Sequence, residues 1–464
     1  MSRVYLLALV ELASLGPLAT ALAVSLSLKV LEIAPESKEA SLALVTTAGA
    51  VAALVSNPVW GHLSDRTRSR FGRRRPWIVS GAVLGAVSAV LMLLAPGVGW
   101  LAAAWALGQA GYNASLAALN AMLADQVPEE QRAKASGVFG AFGFLGLVPA
   151  MLIAAVFAEN LAVVMLAMPL ISLVIVGVVC AVVPDAPVSG AGARERGIGD
   201  VFRAFLFNPL RVPRFSLVWV QRCVMQFGYT IVGTFGLFYL IERLGMEQGE
   251  AVSLTSLATV AGAGLNTAAA FACGYLASRR GNYGPFIVAA TAAMAVSLLM
   301  KAYTGDVSVF WASTVVAGFA LGVYYSIDLA LVMRTLPAGE EGKFLGIFNL
   351  AKTIPQSVAP ALAPLALAVG GPDPVTGHEN NYASLYLAGA VAVLLSLAVL
   401  PGLRPVLRRA PATPETSAVP ETPAVPEALV PPAASVASPA PSNPPGAARS
   451  EGAPVSTDSE DTTP

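Results

Sequence analysis

The chain has 464 residues, of which 56% are hydrophobic and only 12% charged, and its formal net charge is zero. Soluble proteins carry about 25% charged residues, so an ordinary soluble domain is excluded, and the balanced charge excludes a basic nucleic-acid-binding surface. Cys180, Cys223 and Cys273 stand singly in apolar stretches, with no disulfide or metal-ligand spacing.

A bilayer core about 30 Å thick needs roughly 20 apolar residues in a helix. Read with that ruler, the sequence predicts an all-α membrane protein with twelve spans. The first six are Val4–Ile33, Leu42–Leu63, Trp77–Ala95, Trp100–Ala124, Ala135–Ala158 and Leu161–Val183. The last six are Phe215–Leu240, Ala251–Leu276, Pro285–Tyr303, Val307–Leu336, Phe344–Val369 and Tyr382–Leu400. The first span resembles a signal peptide at its start, but Glu11 interrupts the apolar run and the run continues to Val30, which argues against cleavage. The expected organisation is a bundle over 1–183, a connecting loop over 184–214, a second bundle over 215–402 and a Pro/Ala-rich tail over 403–464. That tail is too polar to bury a core.

Basic residues concentrate after even-numbered spans: Arg66 to Arg75, Arg132 and Lys134, Arg194 to Arg214, Arg279 and Arg280, Lys343, and Arg404 onward. The opposite loops offer little beyond Lys38 and Arg243. The positive-inside rule then places both termini in the cytoplasm of a multi-pass cell (inner) membrane protein. The halves repeat at an offset of 209 residues: Pro76 with Pro285, Pro128 with Pro337, Lys134 with Lys343, Gly137 with Gly346, and Phe139 with Phe348. Duplicated halves rocking about a site at the membrane midplane are the architecture of alternating access.

Between spans two and three, the stretch SDRTRSRFGRRRPWI follows Gly61 by two residues. Membrane anchoring accounts for the arginines. It does not account for Asp65, a carboxylate at the membrane edge four residues after a glycine that allows close helix approach. The G-x-x-x-D-R loop resembles the signature of the major facilitator superfamily. The fuller stretch, with LADQVPEEQRAKASG after span four and YYSIDLALVMRTLP in span ten, is similar to the branch holding sucrose transporters and glycoside-pentoside-hexuronide cation symporters. This resemblance implies two pseudo-symmetric six-helix bundles (the major facilitator fold) around a central cavity, and proton-coupled sugar movement. It also implies a conformational latch of Gly61, Asp65, Arg66, Arg73 and Arg74. The first span departs from the sucrose-transporter pattern, because ELASLGPLATALAVSLSL is aliphatic and small.

Ionisable residues inside a membrane are costly and need partners or a wet cavity. Asp328 and Lys352 each lie eight residues from a span end, at about 12 Å depth on neighbouring helices. They fit either a permanent ion pair or one released by protonation, and Glu11 is a further candidate proton carrier. For a sugar, the polar candidates are Trp105, Gln109, Asn113 and Asn120 in span four, Arg222, Gln226 and Tyr229 in span seven, and Tyr325 in span ten. Arg222 fits a cytoplasmic anchor equally well, and the span-four set fits polar glue between helices. The expected partners are a small solute, a proton or other cation, and lipid, with the chain acting as a monomer. No cofactor or metal is expected. His62 and His378 are the only histidines, and no catalytic or nucleotide-binding motif occurs, which leaves an enzyme or an ATP-driven pump without machinery. An exporter of a non-sugar solute and a non-transporting sensor are the competing readings.

Overall fold

The computed structural model describes residues 2–185, 199, 208–337 and 340–407; the 403–464 tail beyond 407 and most of the central loop lie outside them. Among the described residues there is no β-strand, and the helices form twelve membrane-length passes. Nine are long and apolar enough to cross a bilayer unaided, and a tenth qualifies as a bent pair. The other two, Val98–Gln126 and Glu341–Leu367, are equally long but more polar. They are the fourth and eleventh passes, which carry Gln109 and Asn113, and Lys352 and Gln356.

Local chemistry sets the ends. Pro76, Pro213 and Pro285 occupy first-turn positions, where the missing N–H costs nothing. Asn160, Asp306 and Asn381 cap the sixth, tenth and twelfth passes through their side-chain oxygens. Three passes differ from simple rods. The first runs as Ser2–Thr20, a π segment Ala21–Ser25, then Leu26–Ile33. Pro17, four residues before the π segment, lacks the N–H that would bond the Ala13 carbonyl. The seventh bends by 45° between Pro213–Gly233 and Gly236–Arg243, and the twelfth passes through a 3₁₀ turn at Ser396–Val399 and then runs as α-helix past its expected end to Leu407.

Leu170, Val174, Val178 and Val182 form an exposed stripe at four-residue spacing along the sixth pass. So large an apolar strip is a liability in water but a proper surface in hydrocarbon. The first six passes pack chiefly among themselves, as do the last six. Between the halves, the main helix contacts are the second pass with the eleventh and the fifth with the eighth.

The buried clusters show where the halves part. Val4, Leu7, Ile78, Leu119, Phe139 and Val179 belong to a core made only of first-half residues at the end bearing the arginine-rich loops, here the arginine face. First-half residues of the opposite end, such as Leu26, Leu42 and Leu101, share one core with the second half. The halves are therefore fused at the far face and separated at the arginine face.

Candidate solute pathway and its charged cluster

Arg222 of the seventh pass forms an ion pair with Asp328 of the tenth, whose side chain is 1% exposed. The Arg222 guanidinium also lies 4.1 Å from the ring centroid of Phe348 on the eleventh pass. Aromatic stacking and a planar fork of donors hold it in one orientation. This corrects the expected pairing of Asp328 with Lys352. Lys352 lies one turn beyond Phe348 with its side chain exposed, and among the described residues it has no ion-pair partner. Among the described residues, the Asp328 Oδ1, Arg222 Nε and Gln221 Nε2 atoms are buried without hydrogen-bond partners, which leaves this cluster with polar groups still to be met.

Two further bonds tie the seventh pass to the tenth. Tyr324 donates to Gln221 Oε1 at 2.9 Å, and Tyr325 donates to Gln226 Oε1 at 3.2 Å. Gln226 in turn donates to Thr230 at 3.1 Å. The structure thus brings Arg222, Gln226, Tyr325 and Asp328 together, with Lys352 beside them. Glu11 lies apart: it is half-buried, its Oε2 has no partner, and a Cβ at Gly143 of the fifth pass would sit 3.6 Å from its Cγ.

The span-four candidates divide. Asn113 donates to the Gln109 carbonyl at 2.8 Å and to its Oε1 at 3.3 Å. Asn120 is exposed one turn nearer the arginine face than Leu116. Trp105 does not offer a stacking face: it is 2% exposed, inside the core shared by the two halves and against Gly49. Only glycine at position 49 leaves room for its ring, a packing requirement invisible in the spacing.

On the arginine face, Asp65 Oδ1 accepts from Arg73 at 2.6 Å and Arg74 at 2.8 Å. Arg74, 3% exposed, also reaches Asp125 at 3.0 Å and Ser64 at 2.7 Å. Asp185 accepts the backbone N–H groups of Arg74 and Arg75 at 2.7 and 3.0 Å, and Gly72 turns the chain at φ 99°. These partners belong to the first half and, for Asp185, to the start of the connecting loop, and among the described residues nothing stands within 4 Å of a Cβ placed on Gly61. The sequence reading missed Asp125 and Asp185, since single carboxylates at helix ends carry no spacing signal.

On the far face, polar bonds join the halves. Lys38 at the start of the second pass forms an ion pair with Glu242 at the end of the seventh. Asn380 donates across to Glu39 at 2.9 Å; within the second half it also reaches Glu242 at 3.3 Å, and Tyr382 donates to Glu242 at 2.8 Å. Ser253 of the eighth pass donates to the Ala155 carbonyl of the fifth at 3.1 Å. Below this layer, Arg243 and Asp373 form an ion pair with both side chains 0% exposed. Burial by itself would raise the Asp373 carboxyl. The N–H groups of Val375 and Thr376 and the Arg243 guanidinium outweigh that and hold it below its ordinary value.

Residues 4–360 match the family model of the Major Facilitator Superfamily. The chain belongs to that superfamily. It is a multi-pass membrane transporter, and its partners are a small-molecule solute and the lipid bilayer. The solved nucleoside transporter NupG superposes with a TM-score of 0.68 at 13% identity, covering 86% of this chain and 99% of that one. A bacterial homolog of the human lysosomal transporter Spinster, in an inward-facing and unoccupied conformation, gives 0.67 at 14% identity over 89% and 98%. A D-xylose-proton symporter gives 0.64 at 18% identity over 86% and 96%. At these identities the likeness is one of fold. Among curated proteins, the sucrose transport protein SUC4 of Arabidopsis thaliana is 44% identical over 52 residues, which is 11% of this chain and 10% of that protein.

Proposed function

We propose that the chain is a secondary active transporter that symports protons with a sugar, a glycoside or a di- or oligosaccharide, by alternating access. The halves 1–183 and 215–402 rock as units about the cavity between them. The arginine face is cytoplasmic in an inner membrane, so the conformation described here is open inward. The sucrose-transporter segment and the D-xylose-proton symporter among its structural neighbours support a sugar and a proton.

The observation that carries this reading is the buried Asp328 carboxylate, bound on one oxygen by Arg222 and orphaned on the other. Breaking a buried ion pair leaves an uncompensated charge. A proton arriving on Asp328 neutralises the carboxylate and frees the Arg222 guanidinium, whose remaining charge is then met by donating to solute hydroxyls. Gln226, Tyr229 and Tyr325 supply further polar contacts from the second half, and Gln109 and Asn113 from the first. Once the proton leaves, the ion pair re-forms and expels the solute. Lys352 is exposed beside this cluster and sets its field, and Glu11 is a second proton carrier on the first pass. Gly61, Asp65, Arg66, Arg73 and Arg74 act as the latch: when the cytoplasmic side closes, the open space at Gly61 receives a helix of the second half.

In proteoliposomes carrying labelled mono- and disaccharides, Asp328→Asn is expected to abolish uptake driven by a pH gradient while sparing solute exchange. Undiminished gradient-driven accumulation by that variant would remove Asp328 from coupling.

A further inference from the structure

A cavity of about 320 Å³ lies among the seventh, eighth, ninth, tenth and twelfth passes, with Phe144 and Leu147 of the fifth pass also in its wall. The bend in the seventh pass makes room for it, because both Gly233 and Gly236 line its wall. Several polar side chains on that wall satisfy themselves within the protein. Thr259 donates to the Thr255 carbonyl at 2.7 Å, Thr314 to Phe310 at 2.9 Å, and Ser297 to Ser313 at 2.8 Å.

Others on the wall do not. Lys301 reaches the cavity from the last turn of the ninth pass, and among the described residues no carboxylate lies within ion-pair distance of it. Its Nζ sits 4.7 Å from the Phe310 ring centroid, and Tyr239 pins its backbone by donating to the Lys301 carbonyl at 3.0 Å. Among the described residues, Thr255 Oγ1 is buried without a partner. Tyr229 and Tyr386 line the same space, and their hydroxyls bond to no described residue.

The groups on this wall without a bond to a described residue are therefore one cation, three hydroxyls and the Asn266 amide, all able to donate. A carboxylate is the complementary group: it carries one negative charge and only acceptors, with about four lone-pair sites. A single ammonium without a guanidinium fork matches a monoanion better than a phosphate dianion. The volume is at the small end of small-molecule sites and suits one ring. We infer that this cavity binds the carboxylate of a ring-sized organic solute, with Lys301 as its counter-ion and Thr255, Tyr229 and Tyr386 as hydrogen-bond donors. The inference rests on the solute-carrying role proposed above and narrows the class of solute.

The test is binding to the full chain in nanodiscs, by calorimetry, of two matched pairs: nicotinate with nicotinamide, and galacturonate with galactose. The carboxylate of at least one pair is expected to bind about tenfold or more tightly than its neutral partner. Lys301→Met should erase that preference and Lys301→Arg should keep it. Thr255→Val, which leaves the charge in place, should weaken the carboxylate alone. Equal binding of both members, a preference surviving in Lys301→Met, or no binding of any of the four would overturn the assignment. Proton-driven uptake of galactose, measured in parallel, separates the two readings. Uptake without carboxylate preference would leave symport standing and remove this site, whereas carboxylate binding without uptake would do the reverse.

Discussion

If the halves alternate, the far-face bonds between them must break for the protein to open outward, and Glu242 forms the ion pair among them, with Lys38. It accepts from Lys38, Asn380 and Tyr382, and the Lys38 and Glu242 side chains are each only 17% exposed. Glu242→Gln keeps an acceptor for Tyr382 but removes the charge facing Lys38. A hydrogen bond to a charged group contributes about 1.5–3 kcal/mol. Lys38 retains Glu39 at 4.0 Å, which places the loss at the low end, about 1.5 kcal/mol. That shifts the balance between closed and open far face about tenfold. The assay is the distance between spin labels at positions 40 and 378, measured in a background where Cys180, Cys223 and Cys273 are replaced. Glu242→Gln should enrich the longer distance. Adding Lys38→Met should change the distribution little further, as a double-mutant cycle requires of coupled groups. An unchanged distance distribution in Glu242→Gln, or full additivity in the double variant, would show that the pair does not hold the face shut.

Two further outcomes concern stability. Asp373→Asn leaves the fully buried Arg243 guanidinium without its counter-charge and should cost about 3 kcal/mol, seen as a lower melting temperature in detergent. Because the folded carboxyl is held below its ordinary value of 3.8, its contribution is complete above that value and is lost as pH falls through the folded one. The gap between wild type and Asp373→Asn should therefore stay constant from about pH 8 to 5 and narrow only below about pH 4. At the crossing of the seventh and twelfth passes, a Cβ on Gly228 would meet the Gly389 carbonyl at 2.6 Å, and one on Gly389 would meet Gly228 at 2.8 Å. Gly228→Val should thus destabilise by about 1–3 kcal/mol through overpacking, and a melting temperature equal to wild type would show that the helices can move apart freely.

How much of this was legible beforehand varied with the kind of signal. Apolar runs, prolines at helix starts and arginines at one set of loops are local features, and they predicted the twelve passes and the repeat. Charges at equal depth on adjacent helices suggested Asp328 with Lys352. Depth alone cannot rank two cations, and the stacking of Arg222 on Phe348, across three helices, decided the partner. Trp105 had the right residue type and helix position for a sugar platform, yet Gly49 on another helix receives its ring.

The sequence by itself determined that this chain must live in a bilayer, how often it crosses, and that its halves are copies. Each of these follows from composition and period along one helix, where hydrocarbon forces every backbone bond to close within its own segment. Only the tertiary structure decided which face is shut, which arginine holds the buried aspartate, and that Lys301 and three hydroxyls surround one cavity. Those facts depend on side chains from four or five helices meeting at a point, and helix-to-helix rotation and depth are set by packing that no single segment encodes.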